Sequence, residues 1–325
     1  MLPISVFVPT RNSMSLLPKH IESMRPWLDL VQEVIAVDSH SNDGTREFLD
    51  RELQYPKARV LTHPPGLYQS WNFGIAECRA KYIYISTVGE TITRSGLKQL
   101  LTTADALRAD VVISPPRMVR MSGEAKEKTW PIHWLVKALD LKQPSMLAGT
   151  KAQLFAVAHL RRGILGSSAS NLYRTEILQR YPFRTDFGTA GDLAWGLEHA
   201  GAARVAILPQ EISTFMFHPK SYAKSDYAVS DFSEKCLGLA RTAVERHSKE
   251  TGSDKELLNE LLAAWDNLLV AKRRVIDLKR SALWWLMPQA WQAHRVRSTA
   301  EGAVSVLQRK TMLELSRPAP HDPGS

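Results

Sequence analysis

Along the first third of the chain, two hydrophobic rhythms alternate. Short apolar runs read as buried strands: ISVFVP (4–9), EVIAVD (33–38), ARVLT (58–62), KYIYIS (81–86) and ADVVIS (109–114). Between them the apolar positions recur at helical spacing. Leu16, Leu17, Ile21 and Met24 share one face, with Asn12 or Ser13 placed as the N-cap. A second helix is expected from about Thr45. A third, from about Leu67, presents Trp71, Ile75 and Cys78, and Leu97, Leu100, Leu101, Ala104 and Leu107 mark a fourth. Such alternation with short connections predicts an α/β fold whose mainly parallel sheet is covered on both faces. Ligands of these sheets bind at the carboxyl ends of the strands.

The rhythm weakens over residues 115–165, which open with Pro115-Pro116 and contain Gly123, Pro131 and Pro144. This segment is expected to be an irregular insertion on the acceptor side of any site. Ser170 to Arg174, ARVAILP (203–209) and ISTFMF (212–217) resume the fold. The chain is read as a first domain over 1–221, a helical extension over 222–312 and a disordered tail over 313–325.

Composition narrows the class. The 325 residues, 44% hydrophobic and 23% charged, suffice for a sizeable core. Cys78 and Cys236 form no metal or disulfide pattern, so a reducing compartment is expected. Pro9 interrupts the first apolar run, and no run approaches the ~18 apolar residues of a spanning helix. A cytoplasmic protein is expected. The net charge is +9, and residues 272–310 carry seven of that excess around Trp284, Trp285 and Trp291. Pro288 should interrupt the helix there. Either this stretch makes a peripheral contact with an anionic membrane surface, or its tryptophans pack on the first domain. No nucleic-acid module is present, and no nucleic-acid partner is expected.

GxGxxG and GxxxxGK[ST] are both absent. Instead PTRN (9–12), VDSHSNDGT (37–45), GLYQSWNFG (66–74) and ISTVGE (85–90) follow one another at set separations. Together they resemble family 2 glycosyltransferases over roughly residues 3–218. The resemblance implies the GT-A fold, a three-layer nucleotide-diphospho-sugar transferase sandwich with a C-terminal helical extension. It also implies inverting transfer of a sugar from a nucleotide-diphospho-sugar donor to a hydroxyl on a glycan or lipid-linked acceptor, in surface polysaccharide or glycolipid assembly. The alternative is a non-catalytic protein of the same fold that binds a sugar nucleotide or glycan.

Carried over by position, Pro9, Thr10 and Asn12 would line the nucleotide pocket, Asp38 would contact the base, and Asn72 would lie beside the diphosphate. Ser39 and Trp71 stand where the family often has Asp and Arg. A capped turn explains residues 38–45 equally well, and Trp71 also reads as a core aromatic. The family's D-x-D aspartates fall on Thr87 and Gly89, which keep the donor-facing position without the carboxylates. A divalent cation, Mn²⁺ or Mg²⁺, would be left with Glu90, and with His218 at the end of ISTFMFH. Glu90 as a helix-entry acid and His218 as a structural residue are the competing readings. In GTAGDLAWGLEHAG (188–201), Asp192 matches the family's general base, with Gly191 in place of Glu. An ordinary helix N-terminal acid is the alternative there.

Overall fold

The computed structural model describes residues 1–54, 57–120, 122–126, 129–217, 229–247, 253–279 and 288–316. Its strands are β1 (Leu2–Thr10), β2 (Val31–Asp38), β3 (Ala58–Thr62), β4 (Tyr82–Ile85), β5 (Thr91–Ile92), β6 (Val111–Ile113), β7 (Arg117–Arg120), β8 (Ser145–Ala148), β9 (Leu172–Arg174), β10 (Arg204–Ile207) and β11 (Ser213–Phe217). The helices are α1 (Leu17–Leu28), α2 (Thr45–Glu52), α3 (Leu67–Ala76), α4 (Arg94–Ala106), α5 (Pro131–Ala138), α6 (Thr150–Ala158), α7 (Thr175–Arg180), α8 (Gly191–His199), α9 (Val229–His247), α10 (Ser253–Leu278) and α11 (Pro288–Ser316).

Eight strands form the main sheet in the order β3-β2-β1-β4-β9-β6-β10-β8, and β5-β11-β7 form a small second sheet. The strands alternate as their period of two requires. Phe7, Ile35, Val37, Ile83, Ile85, Val111 and Ile113 face one core with α3, α6 and α8. Val6, Val8, Val34, Ala36, Tyr82, Tyr84 and Val112 face the other with α1, α2 and α4. β1 pairs in parallel with both β2 and β4, so the chain reverses its winding at β1 and opens a crevice at that strand's carboxyl end. β9 runs antiparallel to β4 and β6. Residues just before β9 are therefore delivered to the carboxyl end of β4.

Residues 115–165 are more ordered than their sequence predicts. β8 closes one edge of the main sheet, β7 joins the small sheet, and Ala152 to Ala158 of α6 are buried. Four-residue strands leave little periodicity to read, and their partners β10 and β11 lie far along the chain. The start of α1 differs too. Neither Asn12 nor Ser13 caps it through a side chain; the Ser13 carbonyl accepts the N–H groups of Leu16 and Leu17.

The C-terminal helices share the first core. Cys236, Ala240, Leu257, Leu261, Leu268 and Val304 belong to the same buried cluster as Phe155 and Trp195. The last turn of α6 leaves carbonyls without helical partners. Trp265 Nε1 donates to Val157 O at 2.9 Å and Gln308 Nε2 to Ala158 O at 2.7 Å, which satisfies two of them. Pro288 opens α11, where its missing N–H costs nothing. Trp284 and Trp285 lie outside the described residues. No described helix is long and apolar enough to cross a membrane.

Candidate active site

The carboxyl ends of β1 and β2 are stitched into one surface. Thr10 lies opposite Asp38 in the sheet register, and its hydroxyl reaches Asp38 Oδ1 at 3.3 Å. Ser41 donates to Asp38 twice, from N–H at 2.9 Å and from Oγ at 2.5 Å. Asn12, at φ +46°, accepts from Asn42 N–H at 3.0 Å and donates its own N–H to Ser41 Oγ at 2.8 Å. Asp43 binds Met14 N–H, Thr45 N–H and the Thr45 hydroxyl. Pro9, Thr10, Asn12 and Asp38 thus lie together at the carboxyl ends of β1 and β2. Ser39 is buried, with its hydroxyl 2.7 Å from that of Ser70.

Thr87 to Glu90 form a tight turn at the end of β4. Glu90 N–H donates to Thr87 O at 3.0 Å, and Gly89 sits at φ +93°. That backbone region favours glycine, so a turn of this kind accounts for Gly89 at its third position. Beneath it lies His20 of α1, with Nε2 3.1 Å from Ser86 Oγ. Burial lowers the His20 pKa to about 4, so its imidazole is neutral at pH 7. The Glu90 carboxylate turns towards the segment before β9 and accepts from the Ser167 hydroxyl. Desolvation raises its pKa to about 7, against the opposing hydrogen bonds of Ser167 and Ala169 N–H, while the negative charge of Asp192 raises it further.

Asp192 occupies the first turn of α8. It accepts from Leu193 N–H at 2.8 Å and is hydrogen-bonded to the Tyr68 hydroxyl. Desolvation raises its pKa despite those bonds. Two α3 residues one turn apart hold this segment. Asn72 Nδ2 donates to Phe183 O at 2.8 Å while its Oδ1 accepts from Phe183 N–H at 2.9 Å. Tyr68 packs its ring on Gly191, where a Cβ would lie 2.5 Å from Cδ2. That contact explains why glycine precedes Asp192. Asn72 therefore uses its amide to tie α3 to the segment ahead of Asp192. Trp71 is buried among Phe7, Tyr68 and Phe183, the core reading of that residue.

Tyr68, Ser167 and His20 carry no motif in the sequence, although Tyr68 stands one helical turn before the motif residue Asn72. Glu90 and Asp192 are both half-buried, the Asp192 charge reaches Glu90, and burial together with these carboxylates holds Tyr68, Tyr84 and Tyr173 above the usual phenol range. His218 lies outside the described residues. No group of three His, Cys, Asp or Glu side chains that could hold a metal occurs among the described residues. Glu90 is directed at Ser167, Thr87 supplies a neutral hydroxyl and Gly89 no side chain. These residues do not form a cation cradle. A groove of about 770 Å³ lies between α9 and α10 and is lined by residues of those two helices. Along it Arg241 pairs with Asp266 and Arg273 with Glu234.

The sequence profile of glycosyl transferase family 2 matches residues 5–165. No curated protein sequence matches the chain. Among solved structures, S. aureus TarS residues 1–349 in complex with UDP-GlcNAc superposes with a TM-score of 0.62 at 16% identity, covering 96% of this chain and 89% of that one. The same TarS segment in complex with UDP gives 0.60, again at 16% identity, with 96% and 90% covered. A longer TarS structure gives 0.61 at 16% identity and 96% coverage of this chain, which spans 54% of that protein. The ordered motifs, the reversal at β1 and the profile match agree: residues 5–165 belong to glycosyl transferase family 2, on a GT-A fold.

Proposed function

We propose that the protein is an inverting glycosyltransferase that moves a sugar from a uridine-diphospho-sugar to a hydroxyl of a surface glycan or glycolipid acceptor. The observation that carries this reading is Asp192, a carboxylate in the first turn of α8 held by Tyr68 and Leu193, whose charge reaches Glu90 at the end of β4. A carboxylate whose pKa is raised is a better proton acceptor than one in water. As the acceptor oxygen bonds to the donor's anomeric carbon, Asp192 takes the hydroxyl proton. The bond from that carbon to the diphosphate oxygen breaks, and the diphosphate departs with the electron pair. Asp38, Thr10 and Asn12 form the nucleotide end of the crevice, and Thr87 to Glu90 border the sugar. The UDP complexes of TarS support uridine as the donor nucleoside.

A peripheral contact of residues 272–310 with an anionic membrane belongs to the same reading. Trp291 is 69% exposed, which favours it. Against it, Arg273 pairs with Glu234 and Lys310 with Glu260, so two of the seven excess charges are offset by acids outside the stretch, while Lys272 and Arg297 share Glu301 within it.

A thermal-shift series with UDP, UDP-GlcNAc and other UDP-sugars tests the donor assignment. A ligand at a hundredfold excess over its Kd stabilises the native state by about 2.7 kcal/mol. A melting temperature unmoved by every uridine nucleotide contradicts it. Binding without transfer to any hydroxyl acceptor would favour the non-catalytic alternative.

A further inference from the structure

Beyond Ser167, a line of half-buried aromatic side chains leads away from Glu90. The edge of Trp130 lies on Gly166, where a Cβ would come within 3.0 Å of its ring. Trp130 and Phe215 are 4.6 Å apart between ring centres, and Phe215 and Phe217 are 5.2 Å apart. Phe215 and Phe217 belong to neither buried cluster. Phenylalanines two apart on β11 share one face of the small sheet. Their register partners there are Met118, which is buried, and Arg120, which is exposed.

The far end of this line is cationic. Lys126 Nζ sits 3.8 Å from the centre of the Phe217 ring, and Arg120 lies opposite Phe217 in the register. Neither makes an ion pair among the described residues. Among the described residues of the same hairpin the one acid, Glu124, is exposed and gives its main-chain carbonyl to Arg120 N–H.

We infer that this shelf is the acceptor subsite and that its acceptor is an anionic glycan, one bearing carboxylate or phosphate groups. A saturated sugar ring presents an apolar C–H face, which suits a half-buried aromatic surface beside a reaction centre. Two cations at the outer end match a negative charge one or two residues along the acceptor from the reacting hydroxyl. Trp130 against Gly166 connects the shelf to Ser167 and Glu90, so a chain lying on it points its end at the crevice. The small sheet, in which β11 pairs with β7 of the 115–165 segment, serves to present that surface. The inference rests on the transferase reading.

Isothermal titration of the full chain with a galacturonate hexamer, and with the same hexamer as its methyl ester, compares one ring skeleton with and without charge. The anionic hexamer should bind at least tenfold more tightly. Phe217→Ala should weaken it about tenfold, and so should Arg120→Gln with Lys126→Gln. The charge substitutions, at exposed Arg120 and half-buried Lys126, should leave the melting temperature unchanged, which keeps the test valid if Phe217→Ala perturbs folding. UDP-GlcNAc binding, measured in parallel, should be unaltered in every variant. Equal binding of the two hexamers, indifference to loss of both charges, or no binding of either hexamer by a protein that binds UDP-GlcNAc overturns the assignment. A wild-type protein that binds no donor refutes the transferase reading itself, and the acceptor assignment with it.

Discussion

Replacing Gly191 with Ala sets two effects of opposite sign against each other. The residue has ordinary helical dihedrals, φ −65° and ψ −30°, so backbone strain is not an issue. Conformational entropy alone favours alanine by about 0.4–1 kcal/mol. The new Cβ, however, would lie 2.4 Å from the Arg184 carbonyl oxygen and 2.5 and 2.7 Å from two Tyr68 ring carbons. Carbon atoms prefer separations of roughly 3.5–4.0 Å, so the ring or the backbone must retreat by about 1 Å. Overpacking of this kind costs about 1–3 kcal/mol. The steric effect should win, leaving a net loss of about 1–2 kcal/mol by urea unfolding, with an unchanged slope. A displaced Tyr68 also loses its bond to Asp192. That bond favours the ionised carboxylate, so its loss raises the Asp192 pKa and moves the acid limb of the transfer rate to higher pH. A Gly191→Ala variant as stable as wild type, with its acid limb in place, would refute the packing of Tyr68 on Gly191 and its hold on Asp192.

Glu90 should make stability fall as pH rises from about 4.5 to about 7, because over that window the folded state keeps a proton that the unfolded chain has released. Glu90→Gln should remove this dependence, in which a tenfold change in proton affinity is worth about 1.4 kcal/mol, and a wild-type-to-variant difference that is flat between pH 5 and 8 would contradict the desolvation of Glu90. Leu261→Ala, in α10, should cost about 2–5 kcal/mol and lower one cooperative transition, because the side chain is fully buried in the core shared with α6 and α8. Separate melting of the C-terminal helices would contradict a shared core. In liposome flotation, the protein should bind anionic vesicles at low salt and leave them as salt rises, and a wholly soluble fraction at low salt would remove the membrane contact of residues 272–310.

Local pattern made the first half of the fold legible. β1 to β4 and their helices announce themselves through alternation and turn residues, because each contact that matters there lies within a few positions or on a neighbouring strand. The crevice at Thr10, Asn12 and Asp38 follows from that order. Features that depend on distant pairing were not legible. Asn72 binds the main chain of Phe183, 111 residues on, and main-chain partners leave no mark in a side-chain motif. Ser167 reaches Glu90 only because β9 runs antiparallel and returns its leading segment to the end of β4. In the sequence, the basic excess of residues 272–310 reads as a free stripe. Glu234 and Glu260, which pair with Arg273 and Lys310, come from α9 and the first half of α10.

Everything proposed for the reaction turns on Asp192 removing the acceptor proton. With UDP-GlcNAc and a competent acceptor, single-turnover transfer by Asp192→Asn should fall ~10²–10⁴-fold, the usual contribution of a general base, while UDP-GlcNAc affinity changes by less than about threefold. An Asp192→Asn variant that transfers within a few-fold of wild type would show that Asp192 is not the base.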